Sequence, residues 1–221
     1  MGEQPVAAAE NQAVIEPRRG KREELLPSRA ILAFTPQDVE LVQHQTPQLR
    51  QGPQGIYLTK LFVGSCRGVP LVLAGHMPAA WGTPRFPDLP AYAEELGLTP
   101  YVRWIGPVRE EDKAALYRLA SVFVFPSLLE GFGLGPLEAM GSGTPVVACE
   151  ASSIPEVAGD AAFLVAPGDS RAMGGAILSL LTQPEHAATM RNRGLARASD
   201  FSWRATAEGT LAAYEQVIRA R

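Results

Sequence analysis

The chain of 221 residues has little of several things, and each shortage removes a class of function. It has two cysteines, Cys66 and Cys149. They are too few for a disulfide framework or a zinc site built of thiolates, and they suit a reducing compartment. No run approaches the roughly 18 apolar residues of a membrane span. The opening stretch "MGEQPVAAAENQAVIEPRRGKREELLP" has no apolar core behind a basic region, as a secretory signal would, and its Met-Gly start lacks the Ser or Thr of a myristoylation signal. The expectation is a soluble, cytoplasmic protein without a transmembrane segment. Charge of one sign is also missing: the net charge is -3 and the pI about 5.7. Arg18, Arg19, Lys21 and Arg22 cluster, but acidic neighbours offset them, so a solvated tail is expected and no nucleic-acid partner.

What is present is an ordinary globular composition, 46% hydrophobic and 19% charged, in a chain long enough to bury a sizeable core. From about Val69 short apolar runs recur at "PLVLAG", "YVRWIG", "SVFVFPS", "TPVVAC" and "AAFLVAP". Each is rich in β-branched or aromatic residues, and most are closed by Gly, Pro or Ser, as buried strands are. They predict strands at 71–74, 101–105, 122–125, 145–148 and 162–165. Helical patterns lie between them: "AYAEELGL", "REEDKAALYRLA", "GPLEAMGSG" and "SSIPEVAG". Strand–helix alternation with near-continuous apolar strands implies an α/β fold, a doubly wound parallel sheet with helices on both faces. After residue 168 the strands stop. An Asp/Ser cap, Pro184 at a first helical turn and Ser202 as a further cap predict a helical C-terminus.

Residues 1–68 are less regular. "RAILAF" (29–34) can be a strand and "IYLTKLFVGSC" (56–66) a helix or strand, separated by the Gln-rich, Gly/Pro-broken "QHQTPQLRQGPQG". We therefore divide the chain into 1–68, a degenerate or partly disordered remnant of a first strand/helix region, and 69–221, the α/β domain.

The stretch with most chemical content is "EGFGLGPLE", in which Glu130 and Glu138 bracket Gly131, Phe132, Gly133, Leu134 and Gly135 just after the strand 122–125. In a doubly wound sheet that position faces the ligand crevice. The glycines let backbone amides approach a ligand, and a helix starting near Leu134 points its positive end there, which suits an anion. Glu138, read as lying in or near the first helical turn, can accept from two hydroxyls, and Glu130 can do the same for a second hydroxylated group. A glycine turn with one solvated Glu and one N-terminal helix charge fits the same residues, so spacing alone leaves both readings open.

Glu130 and Glu138 match the E-x7-E motif of the retaining glycosyltransferases of GT-B architecture, group 1 (family 4) type. The stretch "VRWIGPVREEDKAALYRLASVFVFPSLLEGFGLGPLEAMGSGTPVVACEASSIPEVAGDAAFLVAPGD" resembles that family phrase by phrase. "FSWRATAEGTLAAY" resembles its C-terminal signature, in which the last helix packs back toward the other domain. The match runs from about Val69 to Ile218. The resemblance implies a Rossmann-like C-terminal domain binding a nucleotide-diphospho-hexose such as GDP-mannose or UDP-glucose. It places Glu138 on the ribose hydroxyls and Glu130, the catalytic candidate, on the donor sugar. The backbone at Gly131, Phe132, Gly133 and Leu134 would face sugar and diphosphate, and Gly106, Pro107 and Val108 would contact the base. No cofactor and no metal are implied, since helix dipole and basic side chains replace the cation.

Two departures stand out. The family carries its acceptor site on a first domain for which residues 1–68 are too short. It also places an Arg and a Lys after the first strand of the donor domain, and here Lys60 is the basic residue nearest that place. Both departures favour an alternative: a non-catalytic nucleotide- or partner-binding module from a truncated or split enzyme, self-associating or paired with an acceptor-domain chain. The remaining candidates read as structural: His76, His44 and His186 as surface histidines, Cys149 as an apolar filler, Trp104 and Trp203 as packing residues, and Glu156 as a brace for its own helix.

Overall fold

A computed structural model describes residues 31–34, 69–75 and 88–220. Six strands form one sheet: β1 (Ile31–Phe34), β2 (Leu71–Ala74), β3 (Val102–Gly106), β4 (Val122–Phe125), β5 (Val146–Cys149) and β6 (Phe163–Val165). Their order is β3-β2-β1-β4-β5-β6 and every pairing is parallel. This is the doubly wound arrangement expected. Strands β2 and β4 fall on their predicted residues, while β3, β5 and β6 begin one residue later. Tyr101 ends a 3₁₀ turn, Thr99–Tyr101, which takes it out of β3.

The sheet reaches into the segment before residue 69. β1 lies between β2 and β4, pairing Ile31 with both Leu71 and Val122. A strand hydrogen-bonded on both edges is an interior member of the sheet, so β1 belongs to the same folding unit as β2 and β4, and the domain extends back at least to Ile31. The proposed helix or strand at 56–66 lies outside the described residues.

The described residues also form helices α1 (Leu89–Glu95), α2 (Glu110–Leu119), α3 (Leu134–Gly141), α4 (Ile154–Ala158), α5 (Ser170–Thr182), α6 (Pro184–Ser199) and α7 (Trp203–Arg219). Successive strand residues point to opposite faces, and both faces are covered. Phe123, Phe125, Val146 and Ala148 pack with Leu116 and Tyr117 of α2, Ala139 and Met140 of α3 and Ile154 of α4. Val122, Val124, Val147 and Cys149 pack on the other face with Met173, Ile177 and Leu180 of α5. That double cover is why β4 and β5 are buried at every position. α6 crosses α3 closely: a Cβ on buried Gly194 would sit 3.2 Å from Met140 Cγ.

The caps agree with the sequence. Asp169 accepts from the amide of Ala172 at 2.8 Å, Ser202 from that of Ala205 at 3.1 Å, and Pro184 opens α6. Trp203 departs from its expected packing role, being 79% exposed. It starts α7, none of whose residues is buried, although Leu211, Tyr214, Val217 and Ile218 recur at helical spacing.

Candidate functional site

The strand order reverses between β1 and β4, so the crevice at their C-terminal ends is the switch point where doubly wound sheets take ligands. The 126–133 loop leaves β4 there and turns into α3 at Gly133. That residue has φ +104°, a conformation rarely adopted by L side chains, and a Cβ would lie 2.7 Å from Ile154 Cδ1. Two residues further on, a Cβ on Gly135 would meet Phe125 Cε2 at 3.3 Å. The two glycines thus serve different ends: Gly133 makes the turn, and Gly135 lets α3 lie close on the aromatic end of β4. Gly133 stands at the N-cap and has no side chain to cap α3, so among the described residues no side-chain cap bond is made there to its first amides.

The loop is held from the start of α4. Ser152 Oγ donates to the Glu130 carbonyl at 2.6 Å, and Ser153 Oγ reaches both that carbonyl at 3.2 Å and the Phe132 carbonyl at 2.8 Å. Ser152 does this from φ +55°, a left-handed conformation uncommon outside glycine. Tethering the carbonyls inward fixes the path of the backbone between Glu130 and Phe132. Glu130 itself is half-buried, and its Oε1 is shielded from solvent. Phe132 is exposed and meets Phe201 edge to face at 5.9 Å between ring centres, with the Arg197 guanidinium 4.8 Å above the Phe201 ring.

Glu138 is the fifth residue of α3, at the start of its second turn and next to the first turn, in or near which the sequence reading puts it. The helix dipole acts chiefly on the first turn, so the reading of Glu138 as an N-terminal helix charge does not apply. Its carboxylate has a specific partner: the Tyr117 hydroxyl, on α2, donates to Oε2 at 3.1 Å. Tyr117 is 1% exposed. Burial, and then the negative charge of Glu138, push its phenol well above its ordinary range, so it remains a donor.

Gly131, Phe132, Gly133 and Leu134 therefore form one loop-to-helix turn with Glu130 and Glu138 at its two ends. Gly106 and Val108 lie at the C-terminal end of β3, on the same sheet edge. Gly106 has φ +67°, and its carbonyl accepts from Gly75 at 2.8 Å. Half-buried Val108 packs on the core face shared by α2 and α3. Lys60, His44 and His76 lie outside the described residues. His186 is exposed but partnered, 2.9 Å from Ser179 Oγ and edge-on to Phe163. Cys149 packs as a small apolar side chain, and burial pushes its thiol up to about 11.

Tyr117, Ser152 and Ser153 escaped the sequence reading. "ALYRLA" reads as the core face of a helix, and a buried tyrosine whose hydroxyl needs a partner is the one hint it contains. The serines open a helix pattern, and nothing in their spacing says that they bind a loop some twenty residues earlier.

Among the described residues no group of three or more His, Cys, Asp or Glu could hold a metal ion, and no helix is long and apolar enough to cross a membrane.

A doubly wound parallel sheet with helices on both faces, and a glycine-rich turn at its switch point, is an α/β domain of Rossmann-like type. The family model for glycosyl transferases group 1 matches residues 60–197, and the chain belongs to that family. It is 43% identical over 115 residues to the O-antigen chain mannosyltransferase B of Escherichia coli, an alignment covering 52% of this chain and 30% of that protein. Among solved structures it is similar to sucrose-phosphate synthase from Thermosynechococcus elongatus, with TM-score 0.69, 26% identity, and coverage of 90% of this chain and 48% of that one. It also resembles HepE of Anabaena, solved with UDP and glucose, with TM-score 0.66, 22% identity, and coverage of 85% and 48%. The chain spans about a third of the length of the curated relatives it matches.

Proposed function

We propose that this chain is the donor-binding half of a retaining hexosyltransferase and binds a nucleotide-diphospho-hexose at the turn between β4 and α3. The observation that carries the reading is the Glu138 carboxylate, fixed by Tyr117 at the switch-point crevice. A half-buried carboxylate with lone pairs to spare suits a ribose diol, and Glu130 suits the hydroxyls of the hexose. The uncapped start of α3 supplies amide donors for the diphosphate between them. Donors such as GDP-mannose or UDP-glucose fit this chemistry. The first draws on the mannosyltransferase among the relatives, the second on the neighbour solved with UDP and glucose.

Binding is proposed to need no divalent cation, so chelator should leave nucleotide affinity unchanged. Transfer with retention would pass through an oxocarbenium-like transition state, with the nucleoside diphosphate leaving. It also needs an acceptor held against the anomeric carbon, since orientation supplies much of the rate. Leu129 and Phe132, 40% and 44% exposed beside the turn, suit contact with a further body that brings the acceptor. The second reading, a non-catalytic nucleotide-binding or partner-binding module derived from a truncated or split glycosyltransferase, draws on the same exposed residues. Calorimetric titration with UDP, GDP and their hexose conjugates, with and without chelator, tests the first reading. Glycosyl transfer and solution mass, measured on the chain alone, separate it from the second.

A further inference from the structure

We propose that Tyr117 is a positioning residue for donor recognition, holding the Glu138 carboxylate in the orientation that meets the ribose diol. This rests on the reading of Glu138 given above. The geometry makes Tyr117 a rigid donor. Its backbone carbonyl is bound by the buried hydroxyl of Thr144 at 2.6 Å and by the amide of Ala120 at 2.9 Å. Its ring stands edge-on to Phe123, 5.2 Å between centres at 88°. A ring fixed at both ends can aim its hydroxyl in few directions, and the direction taken is Glu138 Oε2. Glu110, at the first turn of the same helix, also acts on the phenol by its charge, but that carboxylate is exposed and pairs with Lys113.

The bond works in both directions. A buried hydroxyl needs an acceptor, and Glu138 provides one. A flexible carboxylate loses rotamer freedom when it binds a ligand, and Tyr117 has removed part of that freedom beforehand. One lone pair of Oε2 is taken, which leaves the remaining acceptor directions of the carboxylate for two hydroxyls. The consequence is selectivity for a cis-diol as well as affinity. A purely structural tyrosine would support the fold without touching that selectivity.

The test uses the full chain and four probes: UDP, GDP and their 2′-deoxy counterparts. Tyr117→Phe keeps the ring packing and removes the donor. It should weaken ribonucleotide binding about 3- to 10-fold, the range expected when the ligand must itself order a side chain that was held beforehand, and weaken the 2′-deoxy probes less, so that the ribo/deoxy ratio shrinks. In a Glu138→Ala background, Tyr117→Phe should cause no further loss. Equal weakening of all probes, an unchanged ratio, or additive losses in the double variant would overturn the proposal while leaving the Glu138 reading intact. Unchanged binding in folded Glu138→Ala would overturn that reading, and the proposal with it. Circular dichroism of each variant confirms that it is folded before titration.

Discussion

Gly133→Ala is the substitution whose cost can be worked most completely from the structure. The backbone there has φ +104°, and an added side chain costs roughly 1–2 kcal/mol in the left-handed region. The new Cβ would approach Ile154 Cδ1 to 2.7 Å, well inside contact distance. Ile154 is fully buried, so its methyl cannot swing into solvent, and such overpacking costs roughly 1–3 kcal/mol. Alanine restricts the unfolded chain more than glycine does, which returns roughly 0.4–1 kcal/mol. The net expectation is a destabilisation of roughly 1.5–4 kcal/mol, or a Tm lower by about 5–15 °C for a domain of this size. Denaturant unfolding followed by circular dichroism measures it. Gly131→Ala is the control: nothing lies within 4 Å of its Cβ and its φ is not positive, so its cost should stay below about 1 kcal/mol. Adding Ile154→Val removes the clashing Cδ1, so the double variant should be more stable than the sum of the single effects. A Gly133→Ala protein within about 0.5 kcal/mol of wild type would refute both the backbone and the steric argument.

Three further contacts give expectations of their own. Gly194→Val drives a branched side chain into Met140 where α6 crosses α3, and should lower stability by roughly 1–3 kcal/mol in the same assay. Arg197 donates to the carbonyls of Val157 at 2.9 Å and Glu156 at 2.7 Å, so Arg197→Ala should cost about 1–3 kcal/mol and expose the end of α4 to proteolysis. Burial raises the Cys149 thiol from its ordinary value of 9.0 to about 11. The stability it contributes is therefore fully present below pH 9 and is lost as the pH rises toward 11. In a Cys66→Ser variant the remaining thiol should resist a maleimide at pH 8 until denaturant is added; rapid labelling of native protein would contradict its burial.

The architecture is legible in the sequence because its strands are buried on both faces. Runs such as Val122–Phe125 and Val146–Cys149 are apolar at every position, and a helix pattern comes after each. Boundaries move by a residue where local turns compete, as at Tyr101. β1 is harder to place: "RAILAF" is short and stands beside Gln-rich chain, and its value comes from pairing with β2 and β4, which sequence spacing does not express. The turn from Glu130 to Glu138 is visible because glycine and acid at fixed separation serve a local geometry. Its supports are not: Tyr117 reaches Glu138 from another helix, and Ser152 and Ser153 bind Glu130 and Phe132 from across the loop after β5. Trp203 shows the converse error: a large aromatic at a helix start suggests a packing anchor, yet it stands 79% exposed.

The central claim is that the turn between β4 and α3 binds a nucleoside diphosphate through Glu138. Isothermal titration of UDP and GDP into the full chain and into folded Glu138→Ala tests it directly. The account predicts saturable binding of at least one nucleotide by wild type, weakened in the variant by about 1–3 kcal/mol, as for loss of charged hydrogen bonds to hydroxyls. Equal affinity in the two proteins would contradict it.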